Sequence, residues 1–460
     1  MELPVIYNRY EVLIKFDGSN LILPGIKVPI SLQNILWASI KKMEQITLEI
    51  SMLVPNPKTG VARLQVMYYE VNDEADANIW AEKVMSVAYE GLKPQKNFYI
   101  LLNPYSGKGT SRRALDKYVL PVLNAARCSY HVQVTEHRGH AEELTRNLNI
   151  QDYDAVISVG GDGLLFEVIN GLLKREDAFS ASKLPLCVIP TGSGNALSIS
   201  MHGEKQGFSP VNSTLAAIKG TPLSIDICSI TQGKERYFSF LSQNFGIAGD
   251  ADLGTDKHLK WMGDTRFTVG ALYYIMRKKR YPCELSMLVE HAELSAVKEH
   301  YRLHKEKNDV NGIDTEEESF LKDKYGDIDS PVPENWHRIN GDLINVLGAK
   351  CPLLGRGMLS HPYALPDDGL LDMVILEPDS TLNVLGIFDK LSKGAHVESR
   401  AVKYYKVKAF RLTPKLPKGS TKGYLSIDGE SMPFEPFQAE VHRRVVKVMS
   451  LNGGYIPVDI

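Results

Sequence analysis

Residues 158–173, SVGGDGLLFEVINGLL, set an acid between glycines at the end of an apolar run and continue at once into an amphipathic helical pattern. That order predicts a buried strand, a tight turn and a helix. A helix N-terminus concentrates backbone N–H groups without intrahelical partners, so Asp162 stands where anions are favoured. An isolated aspartate at this position would serve as a helix cap. Glycine on both sides argues instead for a working acid, because no side chain there keeps a phosphate or a reacting hydroxyl away. Glu167, one turn further on, can face the same cleft.

Outward from this turn the rhythm repeats. Strand NFYILLN (97–103), a helix over 112–126, strand SYHVQVTE (129–136), helix HAEELTRNL (140–148), strand YDAVISVGG (153–161), helix LLFEVINGLL (164–173) and strand LPLCVIPTG (184–192) follow one another. Such alternation implies an α/β domain with a parallel sheet and helices on its faces. Ligands of these sheets bind at the carboxyl ends of the strands. Each end here is polar or glycine-rich: NPYSGKG (103–109), TEHRGH (135–140), GGDG (160–163) and TGSGN (191–195). The first of these is no Walker A loop, since Leu102 stands where a glycine is required, and no Rossmann fingerprint, since Arg112 replaces the third glycine. It remains a turn whose Ser106, Gly107 and Gly109 let backbone N–H groups approach an anion.

The 460 residues, 43% hydrophobic, are enough for two or three domains. Residues 1–70 carry short alternating runs, YEVLIKF (10–16), ITLEISML (46–53) and ARLQVMYYEV (62–71), broken by FDGSN and VPNPKTG, which predict antiparallel sheet. A helix over 74–91 with an inward Trp80 comes next. Strands closed by one helix resemble a pleckstrin-homology-like module by pattern; an unrelated small β domain would read the same way. GLKPQK (91–96) is the linker. Lys and Arg number 53 against 55 Asp and Glu, so nothing global favours nucleic acid. Cys128, Cys187, Cys228, Cys283 and Cys351 lie far apart, without a CxxC pair or a metal-like cluster, which suits five free thiols in a reducing compartment. The N-terminus lacks the charged and apolar regions of a signal peptide, and no window reaches the roughly 18–20 apolar residues of a spanning helix. The expectation is a cytoplasmic protein that meets any membrane from outside.

In this order, NPYSGKG, GGDGLLFEVINGL and PTGSGNALS resemble the catalytic domain shared by diacylglycerol, ceramide and sphingosine kinases, and the resemblance runs from about residue 97 to the C-terminus. It implies an α/β nucleotide-binding domain over 97–230 and a β-sandwich domain over 231–460, after the module of 1–93, with ATP and lipid in the cleft between the two. Residues 246–268, GIAGDADLGTDKHLKWMGDTRFT, and SPVPENW (330–336) resemble sphingosine kinases within that group. That family carries an acid at the position of Asp252 to grip the amine of its substrate. The chemistry agrees, because a sphingoid base brings an ammonium that needs a partner when it leaves water, whereas ceramide and diacylglycerol are neutral.

The resemblance implies that Asp162 is the general base, and that Gly160, Gly161 and Gly163 join Asp162 and Asp252 around the substrate. For ATP it implies Asn103, Pro104 and Tyr105; Thr135, Glu136, His137, Arg138 and Gly139; Glu167; Gly192, Ser193 and Gly194; Lys260 and Arg266 on the phosphates; and Asp428, Gly429 and Glu430 in a late acidic turn. Mg²⁺ is implied as a cofactor without a nameable direct ligand. Asp367 and Asp368 are either structural or part of the metal environment. Tyr105 and Ser106 depart from the basic residue or glycine of many relatives. The expected activity is ATP-dependent phosphorylation of a sphingoid base. The alternatives are a ceramide or diacylglycerol kinase, or a non-catalytic lipid-binding relative, against which the intact Asp162 argues.

Two further stretches carry expectations. Residues 289–330 are crowded with charge and predict a solvated insert, disordered in part. In FTVGALYYIMRKKRY (267–281), Val269, Leu272 and Tyr273 recur at helical spacing before Arg277, Lys278, Lys279 and Arg280. Such a stripe is ordinarily core, but its place beside the lipid-gripping segment and ahead of four cations predicts a peripheral membrane contact. A homodimer is compatible with this reading.

Overall fold

The alternating runs of the first seventy residues become seven strands: β1 (Glu2–Tyr7), β2 (Tyr10–Phe16), β3 (Asn20–Ile22), β4 (Ile30–Ser31), β5 (Ile35–Lys42), β6 (Ile46–Pro55) and β7 (Ala62–Glu70). They pair antiparallel in the order β4-β3-β2-β1-β7-β6-β5. Leu3 and Val5, Ile14 and Phe16, and Met67 and Tyr69 turn inward at every second position, as the strand period requires. The helix Glu74–Ala88 closes that face with Ala77, Trp80, Ala81 and Val84, and Asp73 caps it by accepting from the N–H groups of Ala75 and Asp76. Lys219, buried at the end of helix Pro210–Lys219, donates to the carbonyls of Leu32 (2.9 Å) and Ala88 (3.1 Å) and fastens this module to the parallel-sheet domain. The computed structural model describes residues 1–42, 44–192, 194–254, 265–306, 316–416 and 422–458.

Next come four parallel strands, β8 (Asn97–Leu102), β9 (Ser129–Val134), β10 (Ala155–Gly160) and β11 (Leu186–Pro190), in the order β9-β8-β10-β11. Their register aligns Val134 with Leu102, Leu102 with Val159 and Gly160 with Pro190. All four carboxyl ends therefore open on one side, and with them the four polar turns. Phe98, Ile100 and Leu102 face the core shared with the N-terminal module, while Tyr99 and Leu101 face the core shared with the second half. The helix expected over 112–126 is broken into Ser111–Ala114, a π turn at Leu115–Val119 and Leu120–Ala125. Pro121 explains the break, since it has no N–H to give the preceding turn.

The sheet continues past β11. The remaining strands are β12 (Thr221–Gln232), β13 (Glu235–Ser239), β14 (Ser242–Gly246), β15 (Tyr281–His291), β16 (His337–Leu343), β17 (Asn345–Ala349), β18 (Leu371–Leu376), β19 (Val402–Pro414), β20 (Leu425–Ile427), β21 (Glu430–Met432) and β22 (Phe437–Ser450). Strand β22 lies parallel to β11 at Leu186 and Val448 and antiparallel to β12 and β19. From it the order runs β22-β19-β18-β17-β14-β20-β21. The last long strand thus joins the parallel and antiparallel halves into one connected sheet.

A buried charge network ties this half together. Lys406 Nζ lies 2.8 Å from Asp368 and 2.7 Å from Asp372, and Lys350 Nζ lies 2.7 Å from Asp226 and 2.9 Å from Asp368. Burial works against the Asp368 carboxylate, but the two ammonium groups outweigh it and hold its pKa well below the ordinary range. Asp367 reaches Arg444 at 3.5 Å. Neither Asp367 nor Asp368 lines the cleft between the two halves, so both belong to the framework. Within the charged stretch, helix Leu294–Glu306 docks through Val297, 0% exposed, and Tyr301, 7% exposed, one turn apart, and His300 reaches Asp368 at 3.1 Å. Residues 307–315 lie outside the described residues. All five cysteines are buried and free. Among the described residues no helix is long and apolar enough to cross a membrane.

Removing one cation from the network leaves buried carboxylates uncompensated. Lys406→Met is therefore expected to cost about 3–5 kcal/mol of unfolding free energy in urea titration. A loss below about 1 kcal/mol would mean that the network contributes little.

Candidate active site

The aligned strand ends and the facing antiparallel half enclose a cleft of about 1460 Å³. On the parallel side the turns interlock by backbone alone. A Cβ on Gly192 would stand 2.5 Å from Gly161 Cα, and one on Gly107, whose φ is +59°, would stand 1.9 Å from the Thr191 carbonyl oxygen. Only glycine lets these turns approach one another so closely. Asn195 braces the last of them, accepting from Gly192 N–H at 3.2 Å and donating to its carbonyl at 2.5 Å.

Asp162 is the first residue of helix Asp162–Leu173, whose cap position is held by Gly161. Its Oδ2 accepts from the N–H of Ala196, at 3.0 Å, in the first turn of helix Ala196–Gln206. Its Oδ1 is buried and has no hydrogen-bond partner among the described residues. Burial pushes its pKa up, and the backbone N–H groups around residues 195–197 only partly oppose this. The side chain is therefore not a cap of its own helix; it bridges two helix N-termini and keeps one oxygen in reserve. Glu167 uses both oxygens on the start of helix His140–Arg146, accepting from Gly139 (2.8 Å) and Ala141 (3.1 Å).

The antiparallel half supplies the opposite wall. Glu430, on β21, pairs with Arg138 across the cleft, and its Oε1 fills the space a side chain at Gly163 would need. Asp428 turns away from this role. Its carboxylate accepts from the Ser239 hydroxyl (2.6 Å) and from the N–H groups of Phe240, Leu241 and Ser242, so it holds the β13–β14 turn; burial raises its pKa to about 6. Asp252 lies in the turn Asp250–Gly254 and accepts from the Ser426 hydroxyl at 3.2 Å. Beyond it the cleft becomes apolar, with Leu347, Val374, Leu376, Leu385, Phe388 and Val402 along it.

Of the residues singled out in the sequence, Asn103, Tyr105, Thr135, Glu136, His137, Arg138, Gly161, Asp162, Gly163, Glu167, Gly192, Gly194, Asp252, Asp428, Gly429 and Glu430 meet in this cleft. Pro104, Gly139 and Gly160 stand behind its lining. Ser193 and Lys260 lie outside the described residues, as does the side chain of Arg266. Val269, Leu272 and Tyr273, on helix Thr265–Met276, are 39%, 40% and 51% exposed, while Ala271 and Ile275 form its buried side. Val269 and Tyr273 thus form an outer face, and Leu272 also borders the cleft. The basic run after it is only partly available: Lys279 pairs with the buried Asp250 and Arg280 donates to the Asp379 carbonyl, leaving Arg277 and Lys278 on the outside. Ser242, Asn244 and Ser426 were not singled out. Their signal is faint, polar side chains at alternate positions of otherwise apolar strands.

Residues 97–230 match the diacylglycerol kinase catalytic domain, and residues 326–450 match the YegS C-terminal NAD kinase beta sandwich-like domain. Sphingoid long chain base kinase 4 of Schizosaccharomyces pombe is 32% identical over 441 residues, 95% of this chain and 91% of the relative. Sphingosine kinase 1 of Homo sapiens is 31% identical over 355 residues, 75% of this chain and 88% of the relative. A Bacillus anthracis str. Sterne structure assigned as a diacylglycerol kinase superposes with a TM-score of 0.54 at 18% identity, covering 78% of this chain and 96% of that one, which is a likeness of fold.

The interlocked turns have a direct consequence. Gly192→Ala drives a methyl group into the backbone at Gly161, and repacking of that kind costs about 1–3 kcal/mol. Calorimetric titration with ATP is expected to show affinity reduced about tenfold or more; unchanged affinity would mean that this contact does not shape the nucleotide site.

Proposed function

The chain belongs to the family of sphingosine and sphingoid long-chain base kinases, and from that premise we propose that this cleft moves the terminal phosphoryl group of ATP to the primary hydroxyl of a sphingoid base. The observation that carries this reading is the pair of carboxylates in one cleft: Asp162 with an unpartnered oxygen, and Asp252 at the mouth of an apolar passage. The two have different work. Asp162 Oδ1 takes the proton of the attacking hydroxyl, and its raised pKa makes it a stronger base than an ordinary carboxylate. Asp252 pairs with the substrate ammonium, an interaction that ceramide and diacylglycerol cannot return.

The nucleotide lies over the interlocked turns, where backbone N–H groups at the starts of two helices meet its phosphates. Arg138 is the described cation on that side, and Lys260 and Arg266 are assigned to the phosphates by family likeness. Among the described residues no group of three or more His, Cys, Asp or Glu is arranged as a metal cage. Mg²⁺ needs none, because it takes one or two carboxylates and completes its shell with phosphate and water. Glu430, beside Gly163, is the carboxylate suited to it, and when bound the ion offsets charge on the transferring phosphoryl group. The enzyme works in the cytoplasm, and helix Thr265–Met276 meets the membrane with Val269, Leu272 and Tyr273 so that the base passes directly into the cleft.

Asp162→Asn is expected to lower turnover by about two to four orders of magnitude while the affinity for ATP changes only a few-fold. In the wild-type enzyme kcat/KM should fall as pH drops through a pKa above the ordinary carboxylate range, because the base works only when deprotonated, and the variant should lack that limb. Turnover within a few-fold of wild type would remove Asp162 from the role of base. Combined Val269→Ser and Tyr273→Ser, which spare the cleft-lining Leu272, should abolish sedimentation with anionic vesicles and leave both the melting temperature and activity on detergent-dispersed substrate near wild type. Retained sedimentation would place the membrane contact elsewhere.

A further inference from the structure

A buried amide lies one strand away from the acid that grips the headgroup. Asn244, on β14, is only 9% exposed and lines the cleft. Its direct cross-strand neighbour on β20 is Ser426, the residue whose hydroxyl holds Asp252. On its other side the same row continues through Leu347 on β17 to Val374 on β18, both in the cleft wall. Beside the serine that holds Asp252, this row therefore presents an amide and then hydrocarbon to the cleft.

The amide is not satisfied by the protein. Asn244 Nδ2 reaches the Ser242 hydroxyl only at 3.5 Å, and Oδ1 has no partner among the described residues. A buried amide beside apolar neighbours is costly unless a ligand completes it. The ligand group that completes it in either orientation is a hydroxyl, which both donates and accepts; an ammonium only donates, and Asp252 already claims it.

Asn244 is one strand spacing, about 4.8 Å, from the serine that holds Asp252, a separation that corresponds to a few bonds along a sphingoid base. In a sphingoid base the ammonium is on the second carbon and a hydroxyl on the third, which makes the fourth carbon the next position. We propose that Asn244 is a specificity-determining residue that reads a hydroxyl on the fourth carbon, so that this enzyme selects phytosphingosine over dihydrosphingosine. The proposal rests on the reading of the cleft as a sphingoid-base site. These two substrates differ by that hydroxyl alone; dihydrosphingosine presents a methylene to the amide and leaves it unpaired.

The test is the ratio of kcat/KM for phytosphingosine to that for dihydrosphingosine, both in the same detergent, in wild type, Asn244→Leu and Asn244→Ser. Each ratio is taken within one preparation and so does not depend on the folded fraction. The wild-type ratio is expected at about tenfold to a hundredfold. Leucine should bring it to about one, and serine, which keeps a hydroxyl, should retain part of it. A wild-type ratio of one or below overturns the proposal, as does a leucine variant that keeps the wild-type ratio. If both bases are phosphorylated equally, the proposal alone fails; if neither is phosphorylated while ceramide or diacylglycerol is, the sphingoid-base reading fails with it. Should the leucine protein not fold, the wild-type and serine ratios decide the matter.

Discussion

The site depends on a carboxylate with one oxygen that has no hydrogen-bond partner among the described residues. Asp162 stands at the start of one helix and accepts from the first turn of another, at Ala196, so its position is fixed by two helices and the strands that feed them. Those helices start where they do because β10 and β11 end in register, at Gly160 and Pro190. The turns between can approach closely because Gly161 and Gly192 carry no side chains. The other oxygen of Asp162 has no hydrogen-bond partner among the described residues. A second strong donor on that oxygen would stabilise the ionised carboxylate and weaken it as a base.

A lipid kinase has to hold a charged, strongly hydrated nucleotide and an apolar chain side by side. Here the two demands fall on the two halves of one connected sheet. The parallel half ends in backbone N–H groups and glycine, which suits phosphate. The antiparallel half offers Asp252 and Ser426 first and then Leu347 and Val374, which suits an ammonium with a hydrocarbon tail. Strand β22 pairs with both halves, and the ion network of Lys350 and Lys406 stiffens the second. The Arg138–Glu430 pair crosses the cleft between them.

Much of this was legible in the sequence because it is local. Strand-to-turn-to-helix signals are written in consecutive residues, and parallel topology then brings the turns together without further information. Asp162 and Glu167 could be picked out for that reason, whereas Asp252 came from the resemblance, and the bonds that occupy Glu167 with Gly139 and Ala141 could not be read at all. What stayed hidden is cross-strand. Asn244 and Ser426 are direct neighbours in space but far apart in the chain. The same holds for Lys279, which reads as one of four surface cations and instead pairs with the buried Asp250. In the charged stretch after residue 289, the acid and lysine content hid a short apolar face at Val297 and Tyr301.

The most direct measurement is phosphoryl transfer from ATP labelled at the terminal phosphate, offered in parallel to sphingoid bases, ceramide and diacylglycerol in one detergent. Label should appear on the primary hydroxyl of the sphingoid bases, with ceramide and diacylglycerol lower by at least about a hundredfold, because in the proposed assignment only the base brings an ammonium for Asp252 to pair. Equal or greater labelling of ceramide or diacylglycerol would contradict the account.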